Sequence, residues 1–178
     1  DLALIRIPSP PTELGTAFAL ATEEPQRGEK VFSLGRPLDL GFNIVEGTHN
    51  GLVEGDFREQ FLFSGAINPG MSGGPALSRR REVYGINVAV NLSGQLVSYV
   101  VPVRFAVNLL RSISANAPAP DGKALLRSIT QQLKTRQSAL LNRLFGSPLR
   151  QRPFGHFKVV DEATPLVRCW ANSDGETE

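Results

Sequence analysis

The chain has 178 residues, 41% hydrophobic and 20% charged, with a formal net charge of +2. That is the composition of a folded chain with room for one ordinary domain or two small ones, and it excludes disorder throughout. The small net charge does not imply a polyanionic partner, and a lone cysteine, Cys169, excludes an intramolecular disulfide framework.

From residue 1 to 114, short Val, Ile, Leu and Phe runs are separated by Gly, Pro, Asn and Asp, which predicts an all-β barrel or sandwich. The strand-like runs are "LALIRI" (2–7), "KVFSLGR" (30–36), "NIVEGTHNGLVEG" (43–55), "FLFSGAI" (61–67), "GPALS" (74–78), "EVYGINVAV" (82–90) and "LVSYVVPV" (96–103). The turns "SRRRE" (78–82) and "NLSGQ" (91–95) suggest hairpins. "RFAVNLLRSI" (104–113) then switches to helical spacing, with Phe105, Leu109, Leu110 and Ile113 on one face. "SANAPAPDG" (114–122) breaks the periodicity as a linker. Leu125, Leu126, Ile129, Leu133, Leu140, Leu141, Leu144 and Phe145 recur at helical spacing beyond it, and Gly146 and Pro148 close that helix. "HFKVV" and "PLVRCWA" are expected as two strands around "DEATP". Because the chain opens on Asp1, directly in a strand-like run, and closes just after another, it is expected to be a piece of a longer protein.

The densest turn signal carries the chemistry: "AINPGMSGGPAL" (66–77) sets three glycines and two prolines around Ser72. "GMSGG" fits the loose G-x-S-x-G pattern, but a nucleophile elbow must lead straight into a helix. Gly73, Gly74 and Pro75 oppose one, at about 1 kcal/mol for each glycine and about 3 for proline. The other design is a tight glycine loop between two barrel strands, which aims backbone N–H groups at the oxyanion formed when the serine attacks a carbonyl. Gly70 and Ser72 would supply those donors.

"INPGMSGGPAL" resembles the active-site segment of trypsin-like serine peptidases, in the disulfide-free HtrA-like branch. "DLALIRI", "GEKVFSLGRPLDL", "VYGINVAVN" and "VSYVVPVRFAVNLL" resemble further segments of that family in order and spacing. The resemblance covers about residues 1–114 and implies a mainly β fold: a double β-barrel whose first barrel is incomplete and whose second is present. An amphipathic helix and a partial β-rich segment follow. The implied divisions are 1–28 (end of the first barrel), 29–114 (second barrel and closing helix), 115–147 (linker and basic helix) and 148–178 (start of a further β-rich domain). With its first barrel incomplete, residues 2–7 are expected to be left with an unpaired edge and an exposed apolar face.

By position, the resemblance implies that Ser72 is the nucleophile and Asp1 the residue that orients a catalytic histidine. Gly70 and Ser72 would form the oxyanion hole, and Ala66 would lie at the base of an apolar specificity pocket. Asn87, Val88 and Ala89 would offer a strand edge to an extended polypeptide substrate. No metal or organic cofactor is implied. A homo-oligomer and an extracytoplasmic location would fit the family.

The sequence departs from the family in three places. The family order is histidine, aspartate, serine, so the histidine would precede Asp1. His49 and His156 match no catalytic position, and the chain alone is expected to be inactive. Met71 replaces the usual Asn and is expected to have a modest effect on substrate fit. "LFSGA" replaces a more polar stretch before the loop. The rival reading from another class is a non-catalytic homologue that binds peptides; a third gives the function to the helix and tail. Cys169, beside Trp170, reads as a small core hydrophobe.

No Asp or Glu occurs from Gly122 to Val160, while Lys123, Arg127, Lys134, Arg136, Arg143, Arg150, Arg152 and Lys158 accumulate. Such a helix can lie on an anionic membrane or grip nucleic acid. Packing of its leucine face against protein is favoured over membrane contact, and no nucleic-acid partner is expected.

Overall fold

The computed structural model describes residues 2–7, 9–13, 15–53, 58–90, 95–113, 120–146, 148 and 150–160, and the side chains of Ala89 and Val90 lie outside the description. The chain divides into two compact units, residues 1–54 with 58–117, and residues 55–57 with 118–178.

In the first unit six short strands form an antiparallel barrel: β1 (Lys30–Gly35), β2 (Asn43–Leu52), β3 (Phe61–Ser64), β4 (Pro75–Leu77), β5 (Val83–Val90) and β6 (Ser98–Pro102). Their order is β1-β2-β3-β6-β5-β4, closed by the pairing of Phe32 with Leu77 and Ser33 with Ala76. Closure gives every barrel strand a neighbour on both sides over part of its length, while β5 runs past its pairing with β4, which ends at Ile86. The fold is mainly β, as the short strand-like runs predict.

The barrel is filled from β1, β3, β4, β5, β6 and the loop after β3, with Val45 of β2 packed against that core. Val31, Phe61, Phe63, Ile67, Met71, Ala76, Tyr84 and Val100 belong to one buried cluster. Each large apolar side chain contributes about 1.5–3 kcal/mol of transfer free energy. The Phe63 ring lies across Gly47 and Gly65, where an added Cβ would meet it at 2.4 and 2.3 Å. Helix α1 (Val103–Ser112) begins directly at the end of β6, and Val103 and Val107 join Leu34, Leu77, Val83 and Phe32 in a second cluster.

Residues 2–7 correct the sequence reading, because they form no strand. A strand needs a neighbour for its backbone groups, and no described strand pairs with this run. Ile5 and Ile7 stand exposed, as expected of an apolar run without its partner sheet. From this end a bridge of Leu20 to Val83 adds to the barrel, with the Ala21 N–H on the Val83 carbonyl at 2.9 Å and the Val83 N–H on the Ala19 carbonyl at 2.8 Å. The "SRRRE" hairpin forms, Arg81 taking a positive φ of 62°. Most of "NLSGQ" lies outside the described residues.

The second unit holds helix α2 (Gly122–Phe145) and a hairpin of β7 (Gln151–Phe154) and β8 (Phe157–Val160). Asp121 caps α2, its Oδ1 accepting the Ala124 N–H at 2.6 Å. No residue of α2 is buried, and no described helix is long and apolar enough to cross a membrane. Sequence reasoning did not anticipate β7, since Pro153 removes a ladder donor. A two-stranded hairpin tolerates it because one side of each strand needs no partner. "PLVRCWA" and Cys169 lie outside the described residues.

Candidate active site

The loop from Gly65 to Gly74 joins β3 to β4, and its conformation is imposed by close backbone approach. Gly70 has φ +96°, and a Cβ there would sit 2.3 Å from the Arg36 carbonyl oxygen. Only glycine meets both conditions without strain. At Gly74 a Cβ would sit 2.2 Å from the Leu34 carbonyl oxygen, so the loop presses directly on β1.

Three side chains hold it there. Met71 is fully buried in the barrel core between two exposed residues, Gly70 and Ser72. The expectation that Met71 tunes substrate fit is therefore corrected: its side chain is the apolar anchor of the loop. Asn87 on β5 is also buried, and its Nδ2 donates to the carbonyls of Leu34 (3.1 Å) and Met71 (3.2 Å). Its backbone is engaged as well, the carbonyl accepting the Gly73 N–H at 2.8 Å and the N–H donating to the Gly74 carbonyl at 2.9 Å. Ser98 on β6, also buried, clips the far end of the loop around the exposed Ala66. Its Oγ donates to the Gly65 carbonyl at 2.8 Å and accepts the Ile67 N–H at 3.3 Å.

This clamping leaves a pattern in the loop N–H groups. Those of Met71, Gly73 and Gly74 are satisfied by Asn68, Asn87 and Met71 carbonyls. Those of Gly70 and Ser72 have no acceptor among the described residues. Ser72 is exposed, and its Oγ donates to the Val88 carbonyl at 3.1 Å. Val88 is half-buried, and the backbone of Ala89 pairs with Tyr99.

His49, in the same unit as this serine, makes no contact with it. His49 is buried on β2, its ring edge-on to Phe61 (4.7 Å) and Tyr84 (5.4 Å). Burial holds its pKa below the ordinary value; Arg27 adds to this and Glu29 opposes it. His156 sits exposed in the β7–β8 turn. Asp1 lies outside the described residues, and no cluster among the described residues fits a metal ion. Sequence reasoning missed the roles of Asn87 and Ser98 in the loop. The available signal was a lone amide and a lone hydroxyl inside otherwise apolar strands.

The model of a family described as a trypsin-like peptidase domain matches residues 1–86. The serine protease HhoB of Synechocystis is 30% identical over 124 residues, 64% of this chain and 29% of that protein. Protease Do-like 1, chloroplastic, of Arabidopsis thaliana is 31% identical over 98 residues, 51% of this chain and 22% of that one. The chain thus spans less than a third of the length of these relatives. Among solved structures, the active form of the Rv3671c protease of M. tuberculosis superposes with a TM-score of 0.55 at 20% identity, covering 62% of this chain and 53% of that one. The serine endoprotease of Yersinia pestis superposes at 0.50 and 22%, covering 57% and 36%. At such identities the superpositions establish the fold alone.

Proposed function

We propose that the chain is a trypsin-like serine peptidase of the HtrA/Do-like branch, a reading supported by the match of residues 1–86 to the peptidase family and by the Do-like relatives, and that Ser72 is the nucleophile of an endopeptidase acting through an acyl-enzyme. The observation that carries the reading is the pair of open N–H groups, Gly70 and Ser72, in a loop otherwise tied to β1 and β5. Ser72 Oγ attacks the peptide carbonyl, whose oxygen becomes an anion that these two N–H groups receive. The collapse of that intermediate expels the amine and leaves the acyl group on Ser72, which water then removes. Each donor is worth about 100- to 1000-fold in rate. Ala66, small and uncharged, gives a pocket for small or medium apolar side chains. Val88 and Ala89 receive the extended substrate backbone. Asn87, placed in this role from the sequence, serves instead by holding the loop.

The serine proton needs a base, and His49 is held in the barrel core against Phe61 and Tyr84. We assign that base to a histidine outside residues 1–178, oriented by Asp1. Residues 1–28 then end a first barrel, 29–114 make the second barrel with its helix, 115–147 are linker and basic helix, and 148–178 begin a further domain. A casein-like unfolded protein tests this. A polypeptide carrying the preceding histidine cleaves it, and Ser72→Ala lowers kcat by roughly a million-fold. Cleavage indifferent to Ser72→Ala overturns the assignment, and Ser72-dependent cleavage by residues 1–178 alone overturns the external base. One observation favours a second reading, a peptide-binding homologue: the Ser72 hydroxyl is engaged with Val88 rather than with a base. Binding of extended peptides by a full-length protein without cleavage would support it.

A further inference from the structure

We propose that α2, with the β7–β8 hairpin, is a docking surface for an anionic lipid bilayer, the helix lying in the plane of the headgroups. Nothing in this depends on the chemistry at Ser72.

From Gly122 to Val160 there are eight lysines and arginines and no carboxylate. Along α2, Leu126, Ile129, Leu133, Leu140 and Leu144 recur at three-, four- and seven-residue spacings and form one strip. Leu126 and Leu133 are 64% and 62% exposed. By the same spacing, Arg136 and Arg143 lie beside the strip on one flank, and Lys123, Lys134 and Arg127 lie on the other flank beyond Thr130 and Gln137. The opposite side, with Ala124, Gln131, Thr135, Ser138 and Asn142, carries no charge.

The position of the cations decides between partners. A helix whose leucines pack on protein borders them with charges that pair with opposite charges across the contact. Here the far side is neutral, the cations lie on the two flanks, and no carboxylate stands among them to pair across such a contact. Nucleic acid would engage the cations and leave the leucines in water. A second copy would cover the leucines and bring two cationic borders together without a carboxylate from either helix. An anionic bilayer satisfies both groups: apolar side chains enter the acyl boundary while lysine and arginine stems extend to the phosphates. The hairpin repeats the pattern, with Phe154 and Phe157 paired across the turn, both exposed, beside Arg152 and Lys158.

Flotation of the full 178-residue chain with phosphatidylcholine vesicles, with and without phosphatidylglycerol, tests the proposal. Binding is expected only with phosphatidylglycerol and should weaken as salt rises. Neutralising three cations together, Lys123→Gln, Arg127→Gln and Lys134→Gln, should weaken partition roughly 100-fold. Leu126→Ser with Leu133→Ser should weaken it at least about tenfold. The charge-keeping pair Lys123→Arg and Lys134→Arg should bind like the parent, and circular dichroism checks that each variant keeps its helix. Absence of flotation, or equal flotation on phosphatidylcholine alone, overturns the proposal. So does duplex DNA binding that survives the leucine substitutions, or a dimer in light scattering that they dissolve.

Discussion

The barrel and α2 use similar apolar side chains at regular spacings, yet the barrel buries its set and the helix buries none. In the barrel, each strand's apolar residues meet those of another strand, and closure supplies both the backbone partners and the covering surface. In α2 the backbone is satisfied within the helix, so the element forms whether or not its strip is covered. Periodicity therefore specifies which element forms, while covering depends on what else is present.

The largest test of that contrast is Phe63→Ala. The ring fills the space left by Gly47 and Gly65, so its loss opens a cavity that the short, closed strands relax into only partly. A cost of about 3–5 kcal/mol is expected in denaturant unfolding. Leu133→Ala in α2 should change stability by less than about 0.5 kcal/mol. Equal effects would erase the distinction between the two regions.

Next is Asn87→Ala, which removes the donors to the Leu34 and Met71 carbonyls, both in buried surroundings. About 2 kcal/mol is expected, from one to two acceptors left unsatisfied. Hydrogen exchange at Gly73 should quicken more than at the centre of β2, because Asn87 ties down the loop and not the whole barrel. Uniform acceleration would reassign Asn87 to general packing.

His49 gives a third test, by pH. Burial lowers its folded pKa beneath the unfolded value of 6.5, so the fold prefers the neutral ring. Stability is then flat above about pH 7 and falls as pH drops below 6.5, levelling off only beneath the folded pKa. The slope cannot exceed about 1.4 kcal/mol per pH unit for one group. His49→Phe should remove that slope, and a slope that persists would have to come from other groups.

Much of the first unit was legible from the sequence because its turns are marked by Gly, Pro and Asn and its strands by Val, Ile and Phe. All six barrel strands and α1 fall where those signals lie. The strand over 2–7 failed for a physical reason, since an apolar run is not a strand until another strand pairs with it. The serine loop was legible in its glycines, because their absent side chains answer to backbone approaches such as Gly70 to Arg36. Its supports were not. Asn87, Ser98 and Met71 act across sequence separations of 16 to 53 residues, which no local pattern encodes. β7 was missed because Pro153 reads as a breaker, and a hairpin needs only one hydrogen-bonded side.

The smallest effect belongs to α2 itself. Asp121 accepts the Ala124 N–H and is the one side-chain cap of this helix. Asp121→Ala should cost about 1 kcal/mol. In a helix that buries none of its residues this loss has little tertiary packing to offset it, so it should appear as fraying of the first turns. Circular dichroism should then show reduced helicity while the unfolding midpoint of the barrel stays fixed. If that midpoint moved with the cap, the two regions would be unfolding as one cooperative structure, and the leucine strip would have a partner within the chain. If helicity alone fell, anionic vesicles should restore it, because a bilayer that binds α2 favours the helical form by mass action.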